Sequence, residues 1–315
     1  MRVLLNLSFY SLLIIGLLLP VFAEKTKEDA DKVVAEKSAS KSAAQDKPKA
    51  AVLVESVAPI ELIEQQKADL QHYMNSDEVK PLLAGPDTYL TLIKKNTSAN
   101  SKGVAILLPD WQQGATNPKA INFLRDTLPE NGWTTITLQP SNKPKGYPSD
   151  ALLLEDKIKE NKVIIDEYQR KQKIMFTALM NLAKKYPGIV IVIAQGNNGA
   201  LLVKLFSDNE TGNGLQIPNA LVLLSSYRQT NNQLINQANK AFASQLALTE
   251  LPILDLYLQH DHSLAITKAE QRKSLAKQEM KVYYRQRQLN NNATGYYPEQ
   301  ELLSQINRWL QSIGW

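Results

Sequence analysis

The stretch Gly188-Ile189-Val190-Ile191-Val192-Ile193-Ala194, which runs straight into Gln195-Gly196-Asn197-Asn198-Gly199-Ala200, decides the fold. Its first seven residues carry no polar side chain, and five of them are β-branched. A continuous apolar run of this length suits a strand buried on both faces, as in a parallel sheet. The glycines that follow mark a tight turn, because a residue without Cβ adopts positive φ at little cost. Residues 198–206 then read as a helix. Gly196-Asn197-Asn198-Gly199 matches neither the dinucleotide-binding nor the P-loop glycine spacing.

The same alternation repeats on either side. Upstream, 103–109 is an expected strand, 117–128 a helix with Pro118 at its first position, and 133–138 a strand. A Pro/Gly/Ser-rich loop covers 140–150, and 151–185 reads as a helix long enough to predict a break. Downstream, strands are expected at 219–225, 251–258 and 282–286, with helical patterns at 231–246, 263–279 and 298–313. Ahead of these, 61–73 reads as a helix, and 79–83 and 89–93 as a short preface to the sheet around a turn at Gly85-Pro86-Asp87. Six clear strands argue against a TIM barrel. The expected fold is one α/β domain from 51 to 315, a mostly parallel central sheet with helices on both faces.

Composition narrows the function classes. The 315 residues contain no cysteine, which excludes disulfide scaffolds, cysteine nucleophiles and Cys-ligated metals. The net charge of +5 comes from 36 basic and 31 acidic side chains without a long basic block, so no nucleic-acid partner is expected. Residues 1–23 pair Arg2 with an apolar run and end in Val21-Phe22-Ala23, the pattern of a cleaved secretory signal; the alternative is a membrane anchor over 3–23. The expected location is therefore periplasmic or otherwise exported, and the cleaved protein is not expected to be integral to the membrane. Residues 24–50 hold seven lysines and six acidic residues and read as a charged low-complexity linker.

The segments GVAILLPDWQQG (103–114), VIAQGNNGALL (192–202), NALVLLSS (219–226) and PILDLYLQHDHS (252–263) follow one another in an order that resembles the α/β-hydrolase superfamily. More closely, they resemble its uncharacterised exported proteobacterial DUF3530 family, over about 62–315. In the superfamily a strand enters G-x-S-x-G and presents a serine on a sharp turn. The resemblance puts Gly196 at the nucleophile position, where there is no side chain to form an adduct; the neighbours Gln195 and Asn197 are neutral amides. It puts Asp261 at the triad carboxylate, with Asp255 the weaker match. No histidine stands between the last strand and the closing helix, where Tyr296 or Tyr297 takes the approximate place. Asp110 and Trp111 lie in the segment of the oxyanion loop, with Trp111 either a pocket wall or a core residue. His262 is a candidate displaced base. The His260-Asp261-His262 run invites a metal reading, but i and i+2 side chains diverge in regular structure, and no metal or cofactor is expected. Ser225 and Ser226 are weak replacement nucleophiles.

Two functions follow. One is a non-catalytic hydrolase-like protein of the cell envelope, binding an unknown ligand or protein partner through Asp110, Trp111, Gln195, Gly196, Asn197 and His262. The alternative is a hydrolase of ester, amide or glycan substrates, with Asp261 catalytic in a site lacking the Ser–His pair.

Overall fold

In the computed structural model, residues 59–209 and 214–315 are described. The expected signal at 1–23, the charged segment at 24–50 and the first residues of the expected domain lie outside them. Helix α1 (Leu62–Tyr73) precedes a hairpin of β1 (Val79–Ala84) and β2 (Asp87–Lys94), turned at Gly85 with φ +63°. Pro81 sits in β1, the edge strand, where a missing N–H interrupts no central ladder. The chain then runs β3 (Gly103–Leu108), α2 (Ile121–Thr127), β4 (Trp133–Leu138), α3 (Leu154–Ala183), β5 (Ile189–Gln195), α4 (Gly196–Asn209) and β6 (Ala220–Leu224). It continues with α5 (Ile235–Leu248), β7 (Ile253–Leu258), α6 (Ser263–Thr267), α7 (Ala269–Gln278), β8 (Tyr284–Leu289) and α8 (Glu299–Ser312).

The eight strands form one sheet in the order β1-β2-β4-β3-β5-β6-β7-β8. Strand β2 is antiparallel to β1 and β4, and every other neighbouring pair is parallel. The two expected preface strands thus complete the sheet begun by the six clear ones. Strand alternation divides the core. Val192 and Ala194 of β5 face a layer holding Phe176, Leu179, Phe206 and Phe242, from α3, α4 and α5. Ile191 and Ile193 face Leu124, Leu302, Ile306 and Trp309, from α2 and α8. Each Val, Leu, Ile or Phe among them contributes about 1.5–3 kcal/mol on leaving water, so both layers hold the sheet.

Several boundaries differ from the sequence expectation for physical reasons. The long helix is unbroken over Leu154–Ala183, 30 residues without glycine or proline. The helix expected from 117 begins at Ile121 instead, because Asn117 turns its side-chain oxygen to the N–H of Lys119 at 2.9 Å and so competes with helical bonding. The 263–279 helix divides at Lys268 into α6 and α7. The last strand starts at Tyr284, not Val282. Its register sets Gln286 opposite Asp255, and both Tyr284 and Gln286 donate to Asp255 Oδ2 at 2.9 Å.

Asp255 therefore has a structural task. It lies within β7 and accepts Arg272 Nε at 2.7 Å and Nη2 at 3.4 Å, with both residues fully buried. The pair ties α7 to the sheet. Among the described residues no helix is long and apolar enough to cross a membrane. Asp255→Ala leaves a buried guanidinium without its counter-charge and is expected to cost about 3–5 kcal/mol in denaturant unfolding, whereas Asp255→Leu with Arg272→Met is expected to recover most of that loss.

Candidate functional site

Parallel pairing of β3 with β5 sets Leu108 opposite Ala194, so two residues further on Asp110 leaves its strand beside Gly196. Gly196 opens α4 with φ +55°. The first N–H groups of a helix have no intrahelical acceptor and attract anions. Asp110 meets that need: Asn197 N donates to its Oδ1 at 2.8 Å, and Asn197 Nδ2 lies 3.5 Å from Oδ2. A Cβ on Gly196 would lie 2.0 Å from Asp110 Oδ2 and 2.2 Å from its Cγ. The space a side chain at 196 would need is already filled by a carboxyl group from the neighbouring loop.

The charge on that group is contested. Burial raises the Asp110 pKa to about 6, while N–H groups of Trp111, Asn197 and Asn198 and the Asn197 side chain pull it down. Desolvation wins, even at a helix N-terminus. In serine hydrolases of this fold the N–H following the nucleophile serves the oxyanion, together with one from the loop after β3. Here the N–H of Asn197 is given to Asp110, a residue of that very loop.

A second cluster lies at the ends of β6 and β7. Ser225 follows β6 with φ +49°, uncommon for a residue with a side chain. Its Oγ donates to Asp261 Oδ2, and the Tyr297 hydroxyl lies 2.5 Å from the same Oγ. Because Ser225 spends its one proton on Asp261, Tyr297 is the donor to Ser225. Asp261 also accepts Leu258 N at 2.9 Å and His262 N at 2.7 Å, so both its oxygens are occupied. Of the two tyrosines in the segment where a histidine was expected, Tyr297 is buried and Tyr296 is exposed. Burial, helped by the Asp261 charge, holds the Tyr297 hydroxyl well above the ordinary value of 10.0.

Tyr227 lies between the two clusters. Burial raises its pKa, and the charges of Asp110 and Asp261 add to this against the pull of the Asn197 side chain. Its ring stacks on His262 with centroids 4.0 Å apart and planes 4° from parallel. His262 also accepts Leu264 N at Nδ1, capping α6 at 3.2 Å, and burial lowers its pKa against the pull of Asp261. The chain beyond Tyr227 closes over the turn: Gln229 N donates to Asn197 Oδ1 at 2.8 Å, and Tyr147 holds Gln229 O at 2.6 Å.

Of the sequence candidates, Asp110, Gly196 and Asn197 meet directly. Gln195 points to Asn117, whose Nδ2 lies 3.3 Å from its Oε1. Trp111 turns into an aromatic cluster with Tyr147 and Tyr168, and its indole N–H donates to Tyr168 at 3.1 Å. Asp261 and His262 lie on the far side of Tyr227. His260 is exposed, and its backbone is bound to Asn291. Tyr168 and Tyr227 were missed, since neither belongs to a motif. Ser225, read from the sequence as a weak replacement nucleophile, is joined to Asp261; Ser226 is buried beside Gly199 with its Oγ unpartnered.

The family described as "Protein of unknown function (DUF3530)" matches residues 10–312. No curated protein matches the chain. The fold is similar to Est1E from Butyrivibrio proteoclasticus, with TM-score 0.52, 10% identity, and coverage of 75% of this chain and 98% of that one. It is similar to TT1662 from Thermus thermophilus, with TM-score 0.51, 11% identity, and coverage of 74% and 98%. An alpha-beta serine hydrolase homologue from Coxiella burnetii aligns with TM-score 0.49 and 13% identity, over 77% of this chain and all of that one. The sheet is that of an α/β-hydrolase-like fold.

Two outcomes are expected. Gly196→Ser adds a Cβ at positive φ against Asp110 and should cost about 3 kcal/mol or more. Combining it with Asp110→Gly should restore part of that stability, and strict additivity would show that the two positions do not compete for space. As to pH, the native carboxyl of Asp110 holds its proton more tightly than an unfolded aspartate does. Its cost is therefore absent below about pH 4, grows as pH rises towards 6, and is constant above. Relative to Asp110→Asn, the wild type should lose on the order of 3 kcal/mol between pH 4 and pH 7 in urea unfolding.

Proposed function

Because the chain belongs to the DUF3530 family, a family of unknown function, we propose that it is a non-catalytic α/β-hydrolase-like protein of the cell envelope that binds a ligand or a protein partner. The observation that carries this reading is the Asp110 carboxyl group standing where a Gly196 side chain would be. Acyl transfer on this fold needs a nucleophile, a base beside it and free N–H groups for the oxyanion. Gly196 supplies no nucleophile. Tyr297 keeps its proton at neutral pH and is itself a donor. The N–H of Asn197 is taken. Export is the part of the proposal that rests on the sequence of residues 1–23.

A second reading is favoured by one observation, the positive φ of Ser225 and its bond to Asp261. In that reading Ser225 is a displaced nucleophile acting on esters, amides or glycans, with Asp261 as its base. A broad hydrolase screen of the wild type, Asp110→Asn and Asp261→Asn separates the two. No saturable turnover is expected from any of them. Saturable hydrolysis abolished by Asp261→Asn and retained by Asp110→Asn would overturn the non-catalytic reading in favour of the second.

A further inference from the structure

A cavity of about 540 Å³ opens beside the glycine turn, not above it. That volume lies within the range of small-molecule sites. Asp110, Trp111, Gln195, Gly196, Asn197 and His262 do not line it; Asn198 and Tyr168 do. These two form its wall towards the turn, since Tyr168 donates to Asn198 Oδ1 at 2.9 Å and Asn198 Nδ2 to Pro109 O at 2.6 Å. The base is aliphatic, from Leu108 and Leu138 on β3 and β4 and from Ile164 and Met175 on α3.

The rim is charged, and its charges balance. Glu64 pairs with Lys67 at 2.8 Å, Glu61 with Lys145 at 3.1 Å and Glu167 with Lys171 at 3.8 Å. Glu61 also accepts Asn142 at 2.9 Å, which ties the 140–145 loop to the start of α1 across the mouth. Two lining charges are left without an ion-pair partner among the described residues, the cation of Lys143 and the anion of Asp87. An apolar base under one open cation and one open anion suits a molecule with an apolar body and a head that carries both signs. A singly charged head would meet one of the two as a like charge.

We propose that this cavity binds a zwitterionic amphiphile, with its apolar part against Leu108, Leu138, Ile164 and Met175 and its head between Lys143 and Asp87. The inference rests on the binding reading above and names its site and ligand class. Occupancy would press on Tyr168 and Asn198, the residues shared with the glycine turn.

The test uses the full mature chain and the fluorescence of bound N-phenyl-1-naphthylamine, a neutral amphiphile. Three competitors with the same dodecyl tail are compared below their micelle concentrations: dodecylphosphocholine, dodecyl sulfate and dodecyltrimethylammonium. The zwitterion is expected to displace the probe at concentrations about tenfold lower than either ion. Lys143→Glu alters an unpartnered rim residue and should leave the melting temperature unchanged while moving the preference to the cationic competitor. Met175→Trp should fill the base and abolish probe binding; if it fails to fold, Lys143→Glu still decides the question. Equal displacement by all three heads, or a preference unmoved by Lys143→Glu, would overturn the proposal. Hydrolysis of 1-lauroyl-lysophosphatidylcholine with the head preference intact would support the cavity assignment while contradicting the non-catalytic reading, so the two fail separately.

Discussion

The carboxyl group of Asp110, bound to the N–H of Asn197 at the start of α4, is the contact around which the site is organised. It exists because β3 and β5 are parallel neighbours in a register that brings the loop after one over the turn after the other. Glycine at 196 is then required twice: its φ is positive, and its missing Cβ leaves the space Asp110 occupies. An arrangement that on this fold presents a side chain to solvent here binds a carboxyl group from within. The cost is visible in the Asp110 pKa, which burial raises in spite of the N–H groups around it.

The remaining polar groups close in the same way. Asp261 is surrounded by donors from Leu258, His262 and Ser225, and Tyr297 completes the chain through Ser225. Tyr227 separates this cluster from Asp110, and the backbone of Gln229 covers Asn197. The donors and acceptors of this cluster satisfy one another, whereas the buried Oγ of Ser226, against Gly199 of the turn, has no hydrogen-bond partner. The open volume lies beside the turn, in the cavity behind Tyr168 and Asn198.

Much of the fold could be read from hydropathy alone. The run at 188–194 and its counterparts predict a covered parallel sheet, and the hairpin at Gly85 was marked by its turn residues. What escaped depended on side-chain contacts between distant residues. The start of the last strand follows from Tyr284 and Gln286 bonding Asp255, and Asp255 itself is held by Arg272 from another element. At the site, the glycine at 196 and the absence of histidine from 290–299 were legible in the sequence. That Asp110 fills the gap was not, because it depends on strand register. Tyr296 and Tyr297 were indistinguishable until burial separated them. The cavity has no motif at all; its lining comes from α1, α3, the sheet and the 140–145 loop.

We propose that among the described residues no serine acts as a nucleophile, because the turn is filled and Ser225 is bound up with Asp261 and Tyr297. Treatment of the folded protein with a fluorophosphonate probe, followed by mass spectrometry of its peptides, addresses this directly. No adduct above the level of the denatured chain is expected. Stoichiometric labelling of Ser225 in the folded state, lost in Asp261→Asn, would contradict it.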